Sequence, residues 1–237
     1  MKEKFRRRHL PHWDPPGATF FITACLQGSI PAQGLLAIQN LVRSLREQPR
    51  PPGMTPDAWR IHNSKRVFAL RDEWLDLRPQ VRHLEDARLA AEVQSALYHF
   101  ADERYDLLAY VIMPSHLHWV FRPREKWVAS LEAAETIRTP RERIMHSLQR
   151  YTGLQCNALL NRKGKFWQPE SYDHVVRDEE ELQRIVDYVE LNPVKRGWVE
   201  NREQWRFSSA FDRTLVQPEE LSRSLSRDLL LRVRGTN

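Results

Sequence analysis

The spacing of apolar and polar positions changes several times along the chain, and each change predicts an element. Thr19-Phe20-Phe21-Ile22-Thr23-Ala24-Cys25-Leu26 is β-branched and aromatic, follows the turn-like Pro15-Pro16-Gly17, and predicts a first strand. Helical spacing runs from Leu35 to Arg46 and is stopped by Pro49, Pro51, Pro52 and Gly53, so residues 47–57 are expected to form a loop. The stretch from Trp59 to Leu84 is mixed and predicts no single element. From Asp86 onward Leu89, Val93, Ala96, Leu97 and Phe100 return at helical intervals. Tyr105–Met113 predicts a second strand, which Pro114-Ser115 turns into a third over His116–Arg122 as a hairpin. Residues 123–140 are polar and punctuated by proline. A further amphipathic helix is then expected, with Ile144, Leu148, Tyr151, Leu154, Cys156 and Leu159 as its core face and Gly164 as its end. Ser171–Val176 predicts a short strand, and Arg177-Asp178-Glu179-Glu180 opens a helix with acids at its positive end that stops at Asn192-Pro193. Beyond about residue 213, Leu221, Leu225, Leu229 and Leu230 predict a helical tail.

That order is strand, helix, strand, strand, helix, strand, then one more helix. A βαββαβ string of this kind predicts an α+β fold, a ferredoxin-like or RRM-like antiparallel sheet with both helices on one face. One domain over residues 1–212 is expected, with an arm at 1–9, an insertion around 30–85, and a separate tail at 213–237. Side chains on a strand alternate between faces, so Leu117, Trp119 and Phe121 pack under the helices while His116 and His118 share the other, open face.

Composition narrows the partners. With 41% hydrophobic, 10% aromatic and 29% charged residues in 237, the chain has the make-up of a folded protein. It has no apolar run of membrane-spanning length, and the basic stretch Met1–His9 lacks the apolar segment of a secretory signal, so a cytoplasmic protein without a membrane partner is expected. Cys25 and Cys156 fit no metal spacing and are expected to be reduced, buried thiols. A net charge of +6 favours a polyanionic partner, because clustered cations gain affinity by releasing counterions from phosphates. Lys2, Lys4, Arg6, Arg7 and Arg8 face only Glu3 in the first nine residues, which fits a nucleic-acid arm or a solubilising tail.

Two imidazoles side by side above a sheet form a half-site for a divalent metal; the plainer alternative is two half-exposed histidines on an ordinary strand. On the last helix Leu182, Ile185, Val186 and Val189 form the apolar stripe, with Tyr188 at its edge and Asn192 one turn on. Tyr188 is either an amphipathic packing residue or a nucleophile. Asn192 is either a helix cap or a source of an amide oxygen for the metal. Tyr172, near His174, is the competing nucleophile. Arg150, Lys163, Lys165, Arg177, Lys195 and Arg196 are candidates for phosphate contacts, as are Lys4, Arg6, Arg7 and Arg8 of the arm.

Several separated motifs, in order, resemble the single-tyrosine His-hydrophobic-His transposases, and among them the REP-associated tyrosine transposases. They are Gly17-Ala18-Thr19-Phe20-Phe21-Ile22-Thr23, Tyr110-Val111-Ile112-Met113-Pro114-Ser115-His116-Leu117-His118, and Phe166-Trp167-Gln168 followed by Tyr172-Asp173-His174. Arg177-Asp178-Glu179, Tyr188-Val189-Glu190-Leu191-Asn192-Pro193-Val194-Lys195 and Trp205-Arg206-Phe207-Ser208-Ser209 continue the match, which runs from about Gly17 to Ala210. The resemblance implies that His116, His118 and Asn192 bind Mg²⁺ or Mn²⁺, that Tyr188 rather than Tyr172 attacks a single-stranded DNA phosphodiester, and that a 5′-phosphotyrosine and a free 3′-hydroxyl result. Gly17 and Thr19 become candidates for DNA contact by the same likeness, although Ala18 stands inside that element. The implied function is an endonuclease and strand transferase acting on hairpin-forming DNA such as repetitive extragenic palindromes, as a monomer or homodimer. A domesticated hairpin-DNA-binding protein without transposition is the alternative. An RNA-binding module on the same string would need exposed sheet aromatics where this chain has His116 and His118.

Overall fold

A computed structural model describes residues 4–7, 11–77, 79–133, 138–169 and 171–215. Its strands are β1 (Lys4–Arg7), β2 (Pro11–Asp14), β3 (Thr19–Cys25), β4 (Tyr105–Met113), β5 (His116–Pro123) and β6 (Tyr172–Val176). Its α-helices are α1 (Ala32–Glu47), α2 (Pro56–Leu77), α3 (Ala87–His99), α4 (Glu125–Ala133), α5 (Pro140–Leu159), α6 (Glu179–Glu190), α7 (Asn192–Lys195) and α8 (Ser209–Leu215). The main sheet has the order β4-β5-β3-β6 and is antiparallel throughout. With α3 and α5 as the crossovers, it is the ferredoxin-like βαββαβ arrangement expected from the strand and helix order.

The two faces of the sheet divide the apolar residues between them. Phe20, Ile22, Ala24, Leu117, Trp119 and Phe121 point toward α3 and α5, where they meet Leu89, Val93, Leu97, Ile144, Leu148 and Cys156. Phe21, Val111, Met113 and Val120 point the other way, against Tyr172, Val189 and the apolar stripe of α6. That second face is therefore covered, which corrects the open face expected around His116 and His118. The cover is α6 together with α2, which fills most of the stretch left unassigned by its mixed pattern. Phe68 and Leu75 share the sheet-facing side of α2 while Trp74 lies on another side, against Gly34 of α1, so the helix shows no single apolar stripe.

Other expectations change in detail. The polar stretch 123–140 contains α4. On α5 the core face is Ile144, Met145, Leu148, Thr152 and Cys156, while Tyr151, Leu154 and Leu159 are exposed. The stripe was misread because Thr152 belongs to the core: its hydroxyl accepts the Trp167 indole N–H at 2.8 Å. α6 ends at Glu190, just before Asn192-Pro193 as expected, and those two residues then open the short α7, since proline suits a first helical turn. The expected helical tail beyond residue 215, and residues 1–3 and 8–9 of the basic arm, lie outside the described residues.

The family-like motifs have structural jobs here. Phe166 and Gln168 staple the end of β3 through Gln27 N–H to Phe166 C=O and Gln168 N–H to Cys25 C=O. Trp205 and Phe207 cover the β4 edge, the indole N–H donating to Ile112 C=O at 3.0 Å and Ile112 N–H to Phe207 C=O at 2.9 Å.

Candidate metal and nucleophile site

β5 and β3 present the centre of the site. His116 lies opposite Cys25 and His118 opposite Thr23, and both rings are buried. Ser115 Oγ stands 2.9 Å from His116 Nδ1 and Thr23 Oγ1 stands 2.9 Å from His118 Nδ1, so hydroxyls engage the rear nitrogens of both rings. The Nε2 atoms are left facing each other at 3.1 Å. Burial, with His118 beside it, pushes the His116 imidazolium down to about 3, so that ring is neutral near pH 7 and its lone pair is available.

α2 closes over this pair. Phe68, Asp72, Leu75 and Asp76 recur at helical spacing on its sheet-facing side, which puts two carboxylates where apolar side chains are the norm. Asp72 Oδ1 is 3.4 Å from His118 Nε2, and Asp76 Oδ1 is 3.9 Å from His116 Nε2. Burial alone would raise the Asp72 carboxyl, but the neighbouring His118 first, then His116 and the Tyr188 hydroxyl, hold it far below the usual carboxylate range. Asp76 moves the other way. Burial and then the charge of Asp72 push it up, against its ion pair with Arg196.

α6 and α7 complete the site. Asp178 caps α6 by accepting Glu181 N–H at 2.7 Å, and Leu182, Ile185, Val186 and Val189 dock the helix on the sheet. That docking aims the edge residue Tyr188 inward, where its hydroxyl donates to Asp72 Oδ2 at 2.5 Å. Its ring packs on Phe21, Phe68 and His118, with the last centroid 5.4 Å away. Burial first, then the Asp72 carboxylate, raises the phenol well above its ordinary value. On the outer side the exposed Lys195 sets its Nζ 4.7 Å from the centre of the same ring. Asn192, between Tyr188 and Arg196 on one helical face, is buried, and its Oδ1 has no hydrogen-bond partner.

The donor set fits a small divalent cation. Asp72, His116 and His118 each offer a ligand atom, all within 4.8 Å of one another. Two neighbouring ligands of octahedral Mg²⁺, each at about 2.0–2.1 Å, stand about 2.9 Å apart, and the two Nε2 atoms at 3.1 Å are of that order. Asp72 Oδ1, Asp76 Oδ1 and Asn192 Oδ1 are buried acceptors without a protein hydrogen-bond partner, an arrangement that is costly unless a cation or ordered water satisfies them. Sequence reasoning missed Asp72 and Asp76. The available signal was two acids at i, i+4 in the 68-72-75-76 register, visible only once α2 is recognised as a helix.

The remaining candidates are scattered. Tyr172 is buried, packs tilted against Phe68 with ring centres 4.4 Å apart, and has its phenol pushed up to about 12 by burial. His174 meets Glu181 at 3.2 Å instead of the histidine pair. Arg177 is tied to the same Glu181 at the start of α6, and Arg196 is committed to Asp76. Thr19 is buried and accepts from Arg122 Nε at 2.9 Å, and Gly17 holds a turn with φ of +68°. Arg150 on α5 and Lys163 and Lys165 in the following loop are exposed. Lys4, Arg6 and Arg7 lie in β1, paired with β2; Arg8 is outside the described residues. Cys25 and Cys156 are free and buried, as expected, and no helix among the described residues is long and apolar enough to cross a membrane.

Comparison with known proteins agrees with the resemblance carried by the motifs. The chain is 27% identical over 108 residues to a REP-associated tyrosine transposase of Escherichia coli, covering 46% of this chain and 56% of the relative. It is 28% identical over 113 residues to a putative REP-associated tyrosine transposase of Haemophilus influenzae, covering 44% and 58%. The chain thus spans just over half the length of the curated relatives it matches. A solved structure described as a REP-associated tyrosine transposase bound to a REP hairpin matches over 87% of this chain and 81% of its own, at 18% identity and a TM-score of 0.45. No protein-family model matches the chain.

Proposed function

We propose that this chain, similar to the REP-associated tyrosine transposases, is a metal-dependent, single-tyrosine DNA strand transferase that acts on hairpin-forming single strands such as repetitive extragenic palindromes. The observation that carries the reading is a tyrosine hydroxyl held one carboxylate away from two converging imidazole nitrogens. A divalent cation, Mg²⁺ or Mn²⁺, held by His116, His118 and Asn192 would supply the charge that polarises the scissile phosphate.

The chain's own residues do the rest. Tyr188 Oη forms a bond to phosphorus as the bond from phosphorus to the 3′ oxygen breaks, and the phenolic proton ends on the released 3′-hydroxyl. The product is a 5′-phosphotyrosine, which preserves the phosphoester, so an incoming 3′-hydroxyl reverses the step without ATP. Burial and Asp72 keep Tyr188 protonated before the strand arrives, so the resting phenol is a poor nucleophile. Lys195, on the exposed side of the ring, offers a cation where a phosphate would approach. The surplus of basic residues supplies affinity for the backbone, and cleavage beside a hairpin needs an unpaired strand within reach of the tyrosine.

The test is to incubate end-labelled hairpin strands with the protein and Mn²⁺ and look for a covalent adduct that survives denaturing electrophoresis. The adduct is expected with wild type and with Tyr172→Phe, and is expected to vanish with Tyr188→Phe or with chelator. An adduct that maps to Tyr172, or that forms in excess chelator, overturns the assignment.

A further inference from the structure

Asp72 belongs to none of the motifs shared with the transposases; it comes from α2. Its two oxygens do different things. Oδ2 accepts the Tyr188 hydroxyl at 2.5 Å, while Oδ1 is turned to His118 Nε2 at 3.4 Å, is buried, and has no hydrogen-bond partner. Simple anchoring of α2 does not require this arrangement. Asp76, one turn on, already ties the helix to Arg196, and Phe68 and Leu75 bury its apolar side. Both imidazoles have their Nδ1 atoms engaged by Thr23 and Ser115, so their Nε2 atoms and Asp72 Oδ1 converge on one point.

We infer that Asp72 is a bridging residue: Oδ1 completes the cation site of His116 and His118, while Oδ2 holds the Tyr188 hydroxyl. A single short carboxylate with few rotamers then sets the distance between cation and nucleophile, which is the positioning that a near-attack geometry needs. The role of the bridge in catalysis rests on the reading of Tyr188 as the nucleophile. Its geometry is testable without DNA.

The full chain is labelled with 3-fluorotyrosine, the Tyr188 resonance is assigned by its loss in Tyr188→Phe, and Mn²⁺ affinity is measured by calorimetry with His118→Ala as the control for a lost ligand. Asp72→Asn has the same size and still offers an oxygen to Tyr188, so its melting temperature should stay close to wild type. Its Mn²⁺ affinity should fall about tenfold or more. Saturating Mg²⁺ should shift the Tyr188 fluorine resonance in wild type and leave it in place in Asp72→Asn at the same concentration. If Asp72→Ala does not fold, the isosteric Asn variant carries the experiment. Mn²⁺ binding by Asp72→Asn equal to wild type, a Tyr188 shift of equal size in both, or no Mn²⁺ binding by wild type overturns the bridge. A wild type that shows the bridge yet forms no DNA adduct sinks the proposed function instead, and an adduct formed by a protein without the bridge leaves the function standing alone.

Discussion

Glu190 is the residue whose loss most directly tests how the tyrosine-bearing helix is held. It is fully buried two residues after Tyr188, on the far side of α6. Its carboxylate receives Arg213 Nη2 on both oxygens at 2.6 Å, Arg202 Nη1 at 3.3 Å and the Ser209 hydroxyl at 2.7 Å. Those bonds bolt the last turn of α6 to α8 and, through Ser209, to the backbone of Tyr110 on β4. Replacing it with alanine removes the acceptor from three donors and opens a cavity. Both arginines are one-third to one-half exposed and can turn to water, so the loss stays below the full penalty of a broken buried pair, at about 2–3 kcal/mol. For a domain of this size that is a fall in Tm of roughly 4–12 °C. Glu190→Gln keeps the volume and the acceptor for Ser209, so it should lose about half as much. Thermal melts in low salt measure both, and adduct formation by Glu190→Ala should slow while hairpin affinity changes little. A Glu190→Ala protein that melts within a degree of wild type, or a Gln variant as unstable as the Ala variant, would refute the reasoning.

Thr23→Val keeps shape but removes the hydroxyl on His118 Nδ1, and Mn²⁺ affinity measured by calorimetry should fall about tenfold; an unchanged affinity would mean that the hydroxyl does not orient the ring. Burial alone would raise Glu181, but hydrogen bonds from Arg177 bring it down to about 2 from an unfolded value near 4.5. Its folded pKa is depressed, so its stabilisation is full above about pH 5 and is lost as pH falls toward 2; Glu181→Gln should flatten the dependence of Tm on pH in that window. At Gly34 an added Cβ would come within 2.7 Å of the Trp74 ring and 2.8 Å of Ile30. Gly34→Ala gains about 1 kcal/mol of helix propensity but overpacks α1 against α2 by about 1–3 kcal/mol. A net loss of stability with a changed Trp emission is expected, and a more stable protein would show that the helix pair yields freely.

Where the chain was legible, the reason is periodicity. Leu117, Trp119 and Phe121 alternate with His116 and His118 strictly enough that the separation of core from chemistry follows from strand geometry alone. Asp178 capping α6 was equally readable, because an acid before an amphipathic run has a local meaning. α2 was not legible, because it buries surface on two sides. Its apolar residues spread around the helix, and the places where the sheet-facing stripe should be most apolar are held by Asp72 and Asp76. The same acids in place of apolar residues that hid the helix are the ones that stand beside the two histidines. Thr152 misled for a related reason: a buried hydroxyl with one specific partner looks polar to any pattern count.

The two faces of the sheet can be compared as solvents for their contents. On the α3–α5 side nearly every inward residue is apolar and well buried, so that face supplies folding free energy with few polar demands. On the α2–α6 side two imidazoles of the sheet meet two carboxyls of α2 and the phenol of α6, largely out of water. Arg196 reaches in to compensate, and Asp76 is pushed toward its neutral form by burial and by the second acid beside it. Such a cluster is a poor source of stability, since well-packed apolar residues often serve at least as well. Its persistence at the junction of β5, α2 and α6 therefore points to work that needs fixed negative charge and free imidazole lone pairs in one dry place. Drawing a cation against a tyrosine hydroxyl is work of that kind.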